Sequence, residues 1–124
     1  RAWYVLAVLS GHEATAAAFA RSRGAEAWYP TVAAWRRQPG ARRRRRYLRC
    51  VFPGYVLAGF DGSPPWAALL GDGEGRPWLL GVLARGDQPV PLDTADEEAL
   101  AALVDRLLRD PSVGLIHGHA VSHG

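Results

Sequence analysis

The chain has 124 residues, a net charge of +3 and 48% hydrophobic residues. That length suits one domain with its own core, unaided by metal or disulfide. A single cysteine, Cys50, excludes an intrachain disulfide and fits a reducing cytoplasm, and no uninterrupted apolar run is long enough to read as a membrane span.

Trp3 to Leu9 is apolar and aromatic and has the length of a strand rather than the regions of a signal peptide. Ser10-Gly11-His12-Glu13 has capping-box spacing and opens an alanine-rich helix that stops at Gly24. Glu26 to Trp35 reads as a second strand. Gln38-Pro39-Gly40 supplies turn residues, so a hairpin carries the following arginines at or near its tip. The third strand runs from about Tyr47 to Phe60. Pro53-Gly54 inside it is unusual, because Pro lacks the ladder donor and Gly admits a close neighbour. Phe52 and Tyr55 flank this break, a composition more typical of an interface than of a sealed core.

Asp61-Gly62-Ser63-Pro64-Pro65 ends the strand, and a short helix follows over Trp66 to Leu70. Residues 71–75 read as a loop, and Trp78 to Leu83 as a fourth strand. Leu100, Leu103, Val104, Leu107 and Leu108 follow helical spacing. Thr94 with Glu97 suggests a second capping box, acids crowd the first turn, and Pro111 stops the helix. The order β-α-β-β-α-β-α predicts an α+β fold. It is ferredoxin-like, a four-stranded antiparallel sheet flanked by helices, plus a C-terminal helix. Ser112 to Gly124 has few large apolar groups and reads as loose.

The charge is local. All 15 basic residues are arginine, and eight of them lie between Arg36 and Arg49. No acid occurs from Ala27 to Phe60, so that stretch carries +8 and the remainder −5. A basic finger on an acidic body points to a polyanion or an acidic protein patch. The bland alternative is a solvated loop in an arginine-rich composition, which explains Arg over Lys but not the clustering.

Trp3-Tyr4-Val5, then Trp28-Tyr29-Pro30-Thr31, the arginine run, Phe52-Pro53-Gly54-Tyr55-Val56, Pro65-Trp66, Trp78-Leu79-Leu80-Gly81-Val82 and Pro89-Val90-Pro91-Leu92 follow one another in order. This set resembles the N-terminal domain of the NusG family of transcription elongation and antitermination factors, over roughly residues 3–109. The resemblance implies a domain over 1–110 and a flexible tail or linker over 111–124. The small KOW barrel that follows in the family does not fit in that tail. It also implies a cytoplasmic, monomeric partner of RNA polymerase with no cofactor, no membrane contact and no enzymatic activity. An apolar pocket at Phe52, Tyr55 and Leu57 would dock on the clamp helices of the largest polymerase subunit. Leu6 and Leu100 would line it, and Trp66 would face the other large subunit. Arg42, Arg43, Arg44, Arg45 and Arg46 would reach upstream or non-template DNA, or polymerase surface, gripping backbone without reading sequence.

Other chemistry is thinly supported. His117, His119 and His123 lack zinc-ligand spacing. Cys50 beside Arg49 is more typical of a buried strand cysteine than of a reactive thiol. No phosphate-binding glycine loop is present, and the chain has no Asn for the Arg–Asn site of small phosphatases on this topology. The rival reading is an RNA-binding module of the RRM type. Gly54-Tyr55-Val56 matches the middle of its strand motif, but Pro53 and Ala58 stand where that motif wants aromatics.

Overall fold

In the computed structural model the first strand is the centre of the sheet, as its unbroken apolar run demands. β1 (Ala2–Val8) pairs antiparallel with β5 (Tyr55–Phe60) on one side and β6 (Leu79–Arg85) on the other. β2 (Glu26–Trp28) lies outside β5. The order β2-β5-β1-β6 is that of the ferredoxin-like fold, and every pairing is antiparallel. The structure describes residues 1–29, 31–37, 44–50, 52–71, 76–94 and 96–117, with the backbone alone for 31–37, 44–50 and 71.

Among the described residues the sheet has six strands, where four were expected. β7 (Gln88–Pro89) folds back on the end of β6 through a tight turn. β8 (Gly114–His117) pairs along β6, so Val82 has Leu6 as one cross-strand partner and Ile116 as the other. The segment expected to be loose from Ser112 therefore contributes an edge strand. Leu115 and Ile116, on alternate faces, anchor it to the two halves of the core. His119, His123 and the rest of 118–124 lie outside the described residues.

Strand alternation sorts the apolar side chains onto two faces. Leu6 and Val8, with Val56, Ala58, Phe60, Leu79 and Val82, meet the small side chains Ala16, Ala17 and Ala20 of α1 (Glu13–Ser22). Val5, Leu57 and Leu83 meet Leu100, Val104 and Leu107 of α2 (Glu97–Leu108). Both faces are thus covered.

Five local expectations change. The stretch from Glu26 to Trp35 is two strands, because β3 (Thr31–Arg37) leaves the main sheet to pair with β4 (Arg44–Cys50). The stretch from Tyr47 to Phe60 is likewise split between β4 and β5, the break falling at Pro53-Gly54. Neither capping box forms. His12 caps α1 without a side-chain hydrogen bond. At α2 the cap is Asp96, whose carboxylate accepts from the Glu98 N–H, while Thr94 Oγ1 accepts from the Asp96 N–H. The short helix after Trp66 is a single π-helical turn, Ala67–Gly71.

Candidate docking surface

Phe52-Pro53-Gly54 is a built turn rather than a strand irregularity. The Tyr55 N–H donates to the Phe52 carbonyl at 3.2 Å. Gly54 has φ +88°, and a Cβ there would stand 3.1 Å from the Val8 carbonyl oxygen. Only glycine suits that combination of left-handed backbone and close approach. The Val8 N–H in turn donates to the Gly54 carbonyl at 2.8 Å. Beneath the turn lies Glu13, 5% exposed. One of its carboxylate oxygens accepts from the Gly54 N–H at 2.7 Å and the other from the Gly11 N–H at 2.9 Å.

This turn holds Phe52 and Tyr55 half-buried against the α2-side core. Leu57 and Leu100 belong to the same cluster but lie inside it, each 2% exposed. The structure therefore brings four of the six residues named from sequence onto one side of the sheet. Leu6 is not among them. Alternation along β1 turns it to the α1 face, where it is 1% exposed. Trp66 also belongs to the α1 side. It packs edge-on to Tyr4 at 4.9 Å between ring centroids and approaches Phe60 at 6.3 Å.

Register shows what stands beside Tyr55 instead. Ala7 is its direct partner across β1–β5, Gly81 is the partner of Ala7 across β1–β6, and His117 is the partner of Gly81. Directly opposed residues share a face, so two small residues, Ala7 and Gly81, stand in line beside Tyr55. A groove of about 190 Å³ opens near it, lined by Tyr55, Leu83, Leu107, Leu108, Val113 and Leu115 with Asp110 and Gly114. Hydrogen bonds from the Arg85 guanidinium and from the side chain and backbone of Ser112 hold the Asp110 carboxyl down at about 2. The Arg85–Asp110 contact is 2.8 Å. A larger groove, about 520 Å³, lies between Arg85, Pro91, Leu103 and Arg106, and no candidate residue from sequence lines it.

Sequence reasoning missed Ala7, Glu13 and the C-terminal strand. Counting alternation from Trp3 would have placed Ala7, not Leu6, on the face of Val5. Nothing in the spacing of Glu13 distinguishes a reach to Gly54 from a helix cap.

β3 and β4 form a separate two-stranded sheet in register from Thr31 opposite Cys50 to Arg37 opposite Arg44. Arg44, Arg45 and Arg46 are therefore strand residues, while Arg42, Arg43 and the proposed turn at Gln38-Pro39-Gly40 lie outside the described residues. Among the described residues no group of three or more His, Cys, Asp or Glu could hold a metal ion, and no helix is long and apolar enough to cross a membrane.

A family model described as transcription termination factor NusG matches residues 1–101, a span that includes the hairpin, the Phe52–Tyr55 turn and the start of α2. Comparison with curated proteins finds no match. NusG factors act in transcription elongation, antitermination and termination, and they do so by binding RNA polymerase rather than as enzymes. The chain belongs to the NusG family, and its matched span is a NusG N-terminal domain.

Proposed function

We propose that this domain docks on the clamp helices of the largest RNA polymerase subunit through Phe52 and Tyr55. The arginine hairpin then adds an electrostatic grip on upstream or non-template DNA or on neighbouring polymerase. The observation that carries the reading is the locked turn, which holds two half-buried aromatic residues, with the small Ala7 and Gly81 in line beside Tyr55. Rigid aromatic anchors in partly open apolar surroundings are the usual anatomy of binding hot spots. Leu57 and Leu100 support the rings from within the core. Leu6 and Trp66 support the sheet from its other face.

The hairpin register is consistent with a polyanion. Arg36 stands opposite Arg45, and Arg37 opposite Arg44. Like charges directly opposed cost stability, and a bound polyanion removes that cost. The RNA-module reading needs an open sheet face for base stacking, and α1 and α2 cover both faces.

The test is titration of wild-type protein, Phe52→Ala and Tyr55→Ala against an isolated clamp-helix coiled coil, with circular dichroism as the folding control. Loss of either anchor should weaken binding by about 30-fold, corresponding to ~2 kcal/mol. Replacing Arg42 to Arg46 with Ser should leave that titration unchanged. It should also flatten the salt dependence of duplex DNA binding from a log–log slope of about −3, for roughly three phosphate contacts, to near zero. Unchanged coiled-coil affinity in both folded aromatic variants refutes the docking surface.

A further inference from the structure

Glu13 is the single buried charged side chain among the described residues. Burying a carboxylate is costly unless its oxygens are well supplied with donors. Here each oxygen takes a main-chain N–H from a different turn, and Gly11 and Gly54 lie far apart in sequence. Both glycines have positive φ, +96° and +88°. Charge-assisted hydrogen bonds of this kind are short and about twice as strong as neutral ones. The contact to Gly54 matters most. Its N–H is held by Glu13 and its C=O by the Val8 N–H, so the peptide between Pro53 and Tyr55 is fixed at both ends.

We infer that Glu13 is a positioning residue for the docking turn, a latch that sets Phe52 and Tyr55 in their binding arrangement before the partner arrives. The inference rests on the docking function proposed above. Without the latch, Gly54 keeps only its carbonyl bond to Val8. The two rings would then have to be ordered during binding, which lowers affinity without removing any contact. A negative charge at the N-terminus of α1 would also favour that helix, so the latch must be separated from a helix-charge role.

Three variants do so. Glu13→Asp keeps the charge at the helix end but is one methylene too short to span both amides. Glu13→Gln keeps the size but sets an amide NH₂ against one of the two N–H donors. Ala16→Gly weakens α1 from within by the glycine penalty and leaves Glu13 in place. Hydrogen exchange of the Gly54 amide, followed by NMR, reads the latch directly. Titration against the clamp-helix coiled coil reads its consequence.

Glu13→Asp should exchange at Gly54 more than about tenfold faster, the scale of one lost charge-assisted hydrogen bond. Glu13→Gln should show a smaller rise, since its single carbonyl oxygen can hold one of the two amides. Both should bind about three- to tenfold more weakly, the cost of ordering a side chain on binding. Ala16→Gly should lower the melting temperature with neither effect. Wild-type exchange at Gly54 in Glu13→Asp overturns the latch. So does faster exchange with unchanged affinity, if Tyr55→Ala measured alongside does weaken binding. If Phe52→Ala and Tyr55→Ala both leave affinity unchanged, the docking reading is what fails, and Gly54 exchange still decides whether Glu13 holds the turn.

Discussion

Replacing Gly81 with Ala should push β8 off the sheet, and the geometry sets the scale. A Cβ built at Gly81 would stand 2.1 Å from the Ile116 carbonyl oxygen, 2.9 Å from its carbon and 3.0 Å from the His117 Cα. All three atoms are backbone, so no rotamer change relieves the clash. β8 must retreat, loosening the register Gly81–His117, Val82–Ile116, Leu83–Leu115 and Ala84–Gly114. Overpacking of this kind costs about 1–3 kcal/mol, and φ +156° at a residue bearing a side chain adds roughly 1 kcal/mol. For a domain of 124 residues the sum lowers the melting temperature by roughly 8–15 °C. The assay is thermal unfolding of four proteins: wild type, Gly81→Ala, a chain ending at Asp110, and that short chain carrying Gly81→Ala. The short chain should itself melt lower, because Leu115 and Ile116 no longer cover the core. In that background Gly81→Ala should cost only the backbone part, about 1 kcal/mol, a non-additivity characteristic of residues in contact. Equal losses in both backgrounds would show that β8 is not what Gly81 accommodates.

Asp110 predicts a feature of acid unfolding. Its carboxyl is held at about 2 in the folded chain against an ordinary value of 3.8. Its contribution is therefore present above about pH 4 and is lost as the pH falls toward 2. Asp110→Asn should flatten the decline of melting temperature between those two pH values, and parallel curves would remove Asp110 from the acid response. Trp66→Ala should cost roughly 2–3 kcal/mol by stripping Tyr4 and Phe60 of their partner. The folded variant should still bind the coiled coil normally, since Trp66 is on the α1 face. Weakened binding at unchanged stability would show that Trp66 takes part in clamp-helix docking rather than facing the other large subunit.

Most of the fold was legible because it rests on periodicity. The apolar run at Trp3 to Leu9, the helical spacing from Leu100 to Leu108 and the element order give the ferredoxin-like sheet directly. What was not legible is how far each apolar run stays in one sheet. Glu26 to Trp35 and Tyr47 to Phe60 each read as continuous, because a strand that changes partner keeps the same composition on both sides of the change. β8 escaped for a related reason. An edge strand of four residues buries little, and its pairing depends on Gly81 in the distant β6, which no local pattern reports.

The candidate site divides along the same physical line. Phe52 and Tyr55 could be singled out because large aromatic groups around Pro-Gly are odd in a strand, and oddness of composition is visible without a structure. Leu6 was named from its place in the family resemblance, and strand alternation puts it on the face away from Tyr55. In β1 the larger residue faces α1, while the smaller Ala7 stands beside Tyr55. Under the docking reading proposed above, a depression needs small residues next to its anchors, so the informative positions are those where the chain withholds a side chain. Ala7 and Gly81 are two such positions, and register alone joins them to Tyr55. Glu13 is harder still, since a carboxylate three residues before a buried alanine stripe looks like any helix-opening acid. Only the turn at Gly54, brought against it by β1 and β5, reveals what its second oxygen holds. The chemistry of the site thus sits partly in residues with little chemistry of their own.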